Sequence, residues 1–169
     1  MSADFKFCPQ CGCFLKWRKI EEARRKVCLK CGWIYYRNPL PVVVAVAVDK
    51  EGRVLLTKRN IEPGKNKWAL AGGFIEGGET PRGACLRELK EETGLRGRII
   101  KLIGVYTQNT KRYGDTLIVA YVVKVSENRV LINKEELKEA EFFRRENLPY
   151  IPFSSHQAIL KDIKDLGIF

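Results

Sequence analysis

The sequence predicts an α/β sandwich built on a mixed sheet, preceded by a small N-terminal ribbon that carries cysteines. Three observations predict it. A seven-residue apolar run at 42–48 is too apolar to alternate and reads as a central strand buried on both faces. Several further strand-like runs accompany only two helical stretches, the pattern of a layered α/β domain. Two C-x2-C pairs, Cys8/Cys11 and Cys28/Cys31, stand ahead of all of these.

The elements follow in chain order. Strands at 14–19 and 24–27 form a hairpin between the two cysteine knuckles. Residues 1–38 make up the ribbon and residues 39–169 the second domain. The junction Tyr35-Tyr36-Arg37-Asn38-Pro39 lacks a Ser/Gly-rich linker, so the ribbon is expected to dock on the main domain. After the central strand, Asp49-Lys50-Glu51-Gly52 is a turn into a strand at 53–58. Trp68-Ala69-Leu70 is a short strand before a Gly-rich stretch. Thr80 caps a helix whose first residue is Pro81, and Gly94 ends it. Strands at 98–106, 116–125 and 139–144 follow, then a helix at 155–166.

Composition narrows the function. With 45% apolar and 10% aromatic residues, the 169-residue chain is too hydrophobic to be disordered. Seven apolar residues in a row fall short of the roughly 20 that cross a bilayer. The N-terminus has no apolar signal core, so no membrane association and a cytoplasmic location are expected. The net charge is +11, of which residues 1–40 carry +6. Such a balance favours nucleotides, nucleic acid or anionic lipid as partners, or serves solubility alone.

Six cysteines without a secretion signal point to metal rather than disulfides. Sixteen residues separate Cys11 from Cys28, and Gly12 and Gly32 follow the two pairs. Four soft thiolates in two knuckles suit a closed, structural Zn²⁺ site. Cys13 reads as a bystander and Cys85 as a small core residue. Trp17 and Trp33 read as ribbon packing and Trp68 as a core anchor. His156, the only histidine, reads as a surface or capping residue of the last helix.

On the helix after Thr80, Glu88, Glu91 and Glu92 fall on one face, with Cys85, Leu86 and Leu89 beside them. Three like charges at that spacing repel. Either the face is simply solvated, or hard divalent cations with oxygen ligands offset the charge.

The wider pattern around this helix resembles the Nudix box, G-x5-E-x7-R-E-U-x-E-E-x-G-U with U aliphatic. Gly73, Glu79, Arg87, Glu88, Leu89, Glu91, Glu92, Gly94 and Leu95 occupy every fixed position. The resemblance implies a Nudix α/β/α sandwich and hydrolysis of a nucleoside diphosphate linked to another moiety. By position, Glu88, Glu91 and Glu92, with the Gly72 carbonyl, are the implied ligands of Mg²⁺ or Mn²⁺. Arg87 would orient the carboxylates and Glu79 would brace loop and helix through Arg87. Glu79, Arg87, Glu91 and Glu92 are thus the implied catalytic set.

The ribbon ahead of such a domain resembles the NADH pyrophosphatase branch. That narrower resemblance implies Glu136 as a further metal ligand, with a plain surface charge as the alternative. It implies an adenine sandwiched by Phe74 and Tyr36, one of them from a second subunit, and hence a homodimer. Core packing for Phe74, and packing between ribbon and domain for Tyr36, are the competing assignments. The branch's S-Q-P-W-P-F-P-x-S stretch has no counterpart in 107–115, which lacks its Trp and Pro residues. Lys111 and Arg112 there offer two positive charges at the expected substrate mouth. ADP-ribose, NAD(H) or a related nucleotide derivative are the implied substrates, with AMP released. Removal of an RNA 5′ cap, or a non-enzymatic nucleotide- or nucleic-acid-binding role, are the alternatives.

Overall fold

A computed structural model describes residues 5–127, 129–165 and 167. The first three strands, β1 (Leu15–Ile20), β2 (Ala23–Cys28) and β3 (Ile34–Tyr35), form an antiparallel sheet in that order. A second sheet has seven strands: β4 (Leu40–Val48), β5 (Val54–Arg59), β6 (Trp68–Ala69), β7 (Ala71–Phe74), β8 (Gly97–Thr110), β9 (Gly114–Val125) and β10 (Leu137–Phe143). Its path is β10-β5-β4-β9-β8, with β6 paired to β5 and β7 to β4. Only β4 and β9 run parallel, from Leu40↔Thr116 to Val48↔Lys124, so the sheet is mixed. Helix α1 (Pro81–Thr93) covers one face and α2 (Ser154–Asp165) the other.

This two-sided cover explains the continuous apolar run. In β4, Val43, Ala45 and Ala47 turn toward α1 and pack with Ala84, Cys85 and Leu89. Val44, Val46 and Val48 turn the other way, toward Ile159 and Ile163 of α2. Successive side chains of a strand point to opposite faces, so both sets must be apolar. Helix α1 starts and stops as its caps dictate. The Thr80 hydroxyl accepts from the Gly83 N–H at 3.1 Å, and Gly94, at φ 72°, donates to the Lys90 carbonyl at 2.8 Å.

Several expectations need adjustment. The strand expected at 98–106 extends to Thr110, because Asn109↔Asp115 and Thr110↔Gly114 continue the ladder into a tight turn. The Gly-rich stretch includes a strand, β7, whose residues 71–74 pair with Ala45–Val42. The C-terminal helix begins at Ser154, and position 166 lies outside the described residues, as do residues 1–4 of the ribbon.

Trp33 packs inside the ribbon, stacked on Tyr35 at 6.0 Å. Trp17 is 51% exposed, with Arg24 and Lys26 over its ring at 5.6 and 5.4 Å. It therefore serves no ribbon core: Leu15, Cys8 and Cys28 fill that space. Between ribbon and main domain, Arg37 reaches Asp115 at 3.8 Å. Trp68 meets Phe143 edge-on at 5.1 Å and packs against the α2-side core. Among the described residues, no helix is long and apolar enough to cross a membrane.

Candidate active site

The site gathers where β7, α1 and α2 approach one another. Glu79, in the loop before α1, receives the Nε and one terminal nitrogen of Arg87 at 2.6 and 2.8 Å. The other terminal nitrogen donates to Glu88 and to Glu91, both at 2.8 Å, and the first also reaches the Phe74 carbonyl at 3.1 Å. Arg87 thus ties the loop, the end of β7 and α1 together. Its hydrogen bonds hold the Glu79 carboxyl down at about 2.

Glu88 comes so close to β7 that a Cβ on Gly73 would stand 2.5 Å from its carboxyl carbon. Only glycine admits that approach. Glu92 is buried at 6% exposure, and its Oε2 accepts from the Gly72 N–H at 3.3 Å. Burial, with the Glu88 charge beside it, pushes Glu92 up to about 8, against the pull of that N–H and of Arg59. Burial also raises Glu88. Glu136 sits in the turn before β10 and adds its negative charge to both. Two desolvated carboxylates, with the charge of a third acting on both, collect negative charge along one cleft, which a hard divalent cation would offset.

These carboxylates line a cleft of about 320 Å³. Gly72, Phe74 and Glu136 also line it, as do Arg59, Tyr113, Gln108, Phe153 and His156. Phe74 meets Tyr113 edge-on at 5.1 Å. Tyr36, Lys111 and Arg112 are not among its lining residues. Tyr36 is exposed beneath the Arg25 guanidinium at 4.5 Å, and Arg112 donates to the Glu62 carbonyl at 2.9 Å. Glu91 is exposed and held by Arg87 outside the cleft lining.

His156 corrects the surface assignment. It is half-buried, and its Nδ1 accepts from the Leu70 N–H at 3.1 Å. Burial pushes it down to about 4. Tyr113 and the cleft position of His156 are not visible in the sequence, because each sits in an unremarkable local pattern and reaches the cleft only through long-range packing. The one available signal was that His156 is the chain's sole histidine, on the helix that follows Pro152-Phe153.

In the ribbon, the four sulfurs of Cys8, Cys11, Cys28 and Cys31 lie within 4.8 Å of one another. A tetrahedral zinc with bonds of about 2.3 Å separates its sulfurs by about 3.8 Å, so the donor set fits. Amides converge on the knuckles: Gly12 N–H meets the Cys8 carbonyl and Gly32 N–H the Cys28 carbonyl, both at 2.9 Å. Backbone N–H groups, that of Cys31 first, hold Cys28 down at about 6. Cys85 stands apart, buried in the core and pushed up to about 12.

The NUDIX domain matches residues 38–162. An ADP-ribose pyrophosphatase of Methanocaldococcus jannaschii is 39% identical over 130 residues, covering 75% of this chain and 76% of that protein. The NAD-capped RNA hydrolase NudC of Salmonella heidelberg is 30% identical over 147 residues, covering 87% of this chain. The chain spans only about half of that relative, 54% of its length. A crystal structure of a NUDIX hydrolase from Nitrosomonas europaea superposes with a TM-score of 0.80 at 32% identity, over 93% of this chain and 89% of that one.

The raised Glu92 carboxyl has a thermodynamic consequence. Between about pH 4.5, where it titrates when unfolded, and about pH 8, the native chain holds a proton that the unfolded chain has lost. Stability must then fall as pH rises through that window. In EDTA, the melting temperature of the wild type should drop relative to Glu92→Gln by several degrees between about pH 5 and pH 8. Added Mg²⁺ or Mn²⁺ should restore the wild type at the higher pH and leave Glu92→Gln unmoved. Parallel melting curves for the two proteins across that range would contradict the assignment.

Proposed function

The chain belongs to the NUDIX hydrolase family, and from that premise we propose that it is a divalent-metal-dependent pyrophosphohydrolase. Its substrate is a nucleoside diphosphate joined to a second moiety, ADP-ribose first and NAD(H) second. The carrying observation is the pair of buried carboxylates, Glu88 and Glu92, facing one cleft with Glu136. Burial at that density is unfavourable for the apo protein and suits a site built to be neutralised. The likeness to an ADP-ribose pyrophosphatase over three quarters of both chains supports the substrate order.

Glu88, Glu92, Glu136 and the Gly72 carbonyl would hold Mg²⁺ or Mn²⁺. When bound, the cation supplies charge neutralisation of the diphosphate and a lowered pKa for a water. Arg87 keeps Glu88 and Glu91 in fixed directions, and Glu79 keeps Arg87 in place. Glu92, a carboxylate of the cleft lining left partly free of the metal, accepts the water's proton. Water adds to one phosphorus, the bridging P–O bond breaks, and ADP-ribose yields AMP and ribose 5-phosphate. Phe74 offers its ring to the adenine, where stacking contributes roughly 1–3 kcal/mol. Tyr36, exposed and away from its own chain's cleft, is assigned to the cleft of a second copy, in a homodimer. The four cysteines hold structural Zn²⁺ in the ribbon, residues 1–38, ahead of the hydrolase domain, residues 39–169.

A second reading, hydrolysis of a nucleotide cap on an RNA 5′ end, is favoured by one observation. Trp17 is exposed on the basic ribbon between Arg24 and Lys26. A non-enzymatic binder has no need of the full carboxylate set, which weighs against that class.

Product analysis tests the leading reading. Purified protein with Mg²⁺ should release AMP from ADP-ribose, and Glu92→Gln should lose at least about a hundredfold in kcat while keeping its fold. Unimpaired turnover in that variant, or no AMP from either ADP-ribose or NADH, would contradict it. For the ribbon, metal analysis should find one zinc per chain, released by a mercurial reagent. Cys28→Ser should lose the zinc and melt at a lower temperature, since metal affinity at such a site is folding energy. A zinc-free protein from zinc-replete growth would refute the assignment.

A further inference from the structure

His156 is the one polar side chain that α2 contributes to the cleft, and the mechanism above does not use it. Its Nδ1 accepts from the Leu70 N–H. A neutral imidazole that accepts at Nδ1 carries its proton on Nε2 and must donate there. Among the described residues Nε2 has no hydrogen-bond partner, and it is not sealed from solvent, while the ring lines the cleft. A fixed donor is thus open to the cavity.

The backbone places that donor close to the carboxylate side of the cleft. Leu70 and Gly72 stand two residues apart along the extended stretch formed by β6 and β7. One N–H is taken by His156 and the other by Glu92. Positions i and i+2 of an extended chain face the same way, about 7 Å apart. The imidazole and the Glu92 carboxylate are therefore neighbours, and the Arg59 charge acts on both. The aromatic pair Phe74 and Tyr113 is the part of the cleft suited to a base.

We propose that His156 is a substrate-positioning residue whose Nε2–H donates to a phosphoryl oxygen of the bound diphosphate. The inference rests on the pyrophosphohydrolase reading and deepens it. His156 is not the proton carrier of the reaction. Its free nitrogen already holds a proton, and giving that proton up would leave an imidazolate. Arg59 supplies charge beside it, while the imidazole supplies direction without adding a second charge.

Two variants separate positioning from structure. His156→Asn keeps an acceptor for the Leu70 N–H and leaves no donor at the Nε2 position. His156→Gln places an amide N–H where Nε2–H stood. With ADP-ribose and Mg²⁺, Asn should raise KM about ten- to hundredfold with kcat within about threefold, the signature of lost uniform binding. Gln should recover most of that loss. Unchanged KM in Asn, or Gln no better than Asn, would overturn the proposal.

Wild type provides a test that needs neither variant nor turnover. With a single histidine, ¹⁵N-histidine labelling gives one imidazole to follow. The free protein should show the Nε2–H tautomer, and saturating ADP with Mg²⁺ should shift Nε2 and its proton while Nδ1 stays an acceptor. A spectrum unmoved by ADP, or an Nδ1–H tautomer, would overturn the proposal. Absence of AMP release from wild type, with the ADP shift intact, would instead strike only the substrate reading.

Discussion

Five hydrogen bonds leave the Arg87 guanidinium, and every one ends on a group that the site needs in place. Two go to Glu79, one each to Glu88 and Glu91, and one to the Phe74 carbonyl. Without them, Glu88 and Glu91 would be unneutralised like charges three residues apart on a thirteen-residue helix. A planar fork can hold several carboxylates in defined directions at once, which a lysine ammonium cannot. The four bonds to carboxylates are partly exposed ion pairs, each contributing about 0–1 kcal/mol to stability. The network therefore matters less for stability than for direction: it fixes where the carboxylates point.

The rest of the fold brings the other half of the cleft to that network. Helices α1 and α2 lie on opposite faces of the sheet, yet Glu92 and His156 line one cavity. They meet because the chain between β6 and β7 is not fully committed to the ladder. Leu70 leaves its N–H free for His156, and two residues on Gly72 offers its own to Glu92. Glycines at 72 and 73 then let β4 and α1 close in without a Cβ between them. The same packing that buries Glu92 raises its pKa, so the acidity of the site and the density of the core have one cause.

Much of this was legible from residues alone. Thr80, Pro81 and Gly94 mark α1 to the residue, because capping is local chemistry. The 42–48 run shows a strand buried twice, because the absence of alternation is itself a pattern. The four cysteines announce their own cluster. What stayed hidden depends on partners far away in sequence. Strand β7 has two glycines in four residues and exists because β4 is beside it. His156 reads as a polar position on an amphipathic helix until Leu70 is placed against it. Tyr113 lies in a turn that looks like an open loop until β8 and β9 are zipped to Thr110 and Gly114. Trp17 shows the opposite error: a large aromatic suggests a core, and the ribbon is too small to bury it.

The claim on which the rest depends is that Arg87 directs the carboxylates toward a cation. Counting free Mn²⁺ by electron paramagnetic resonance, during titration of wild type and of Arg87→Lys, tests it most directly. The account predicts that the lysine variant binds Mn²⁺ about ten- to hundredfold more weakly, as expected when a group that orients metal ligands is lost, with its melting temperature only slightly lowered. Equal Mn²⁺ affinity in the two folded proteins would contradict it.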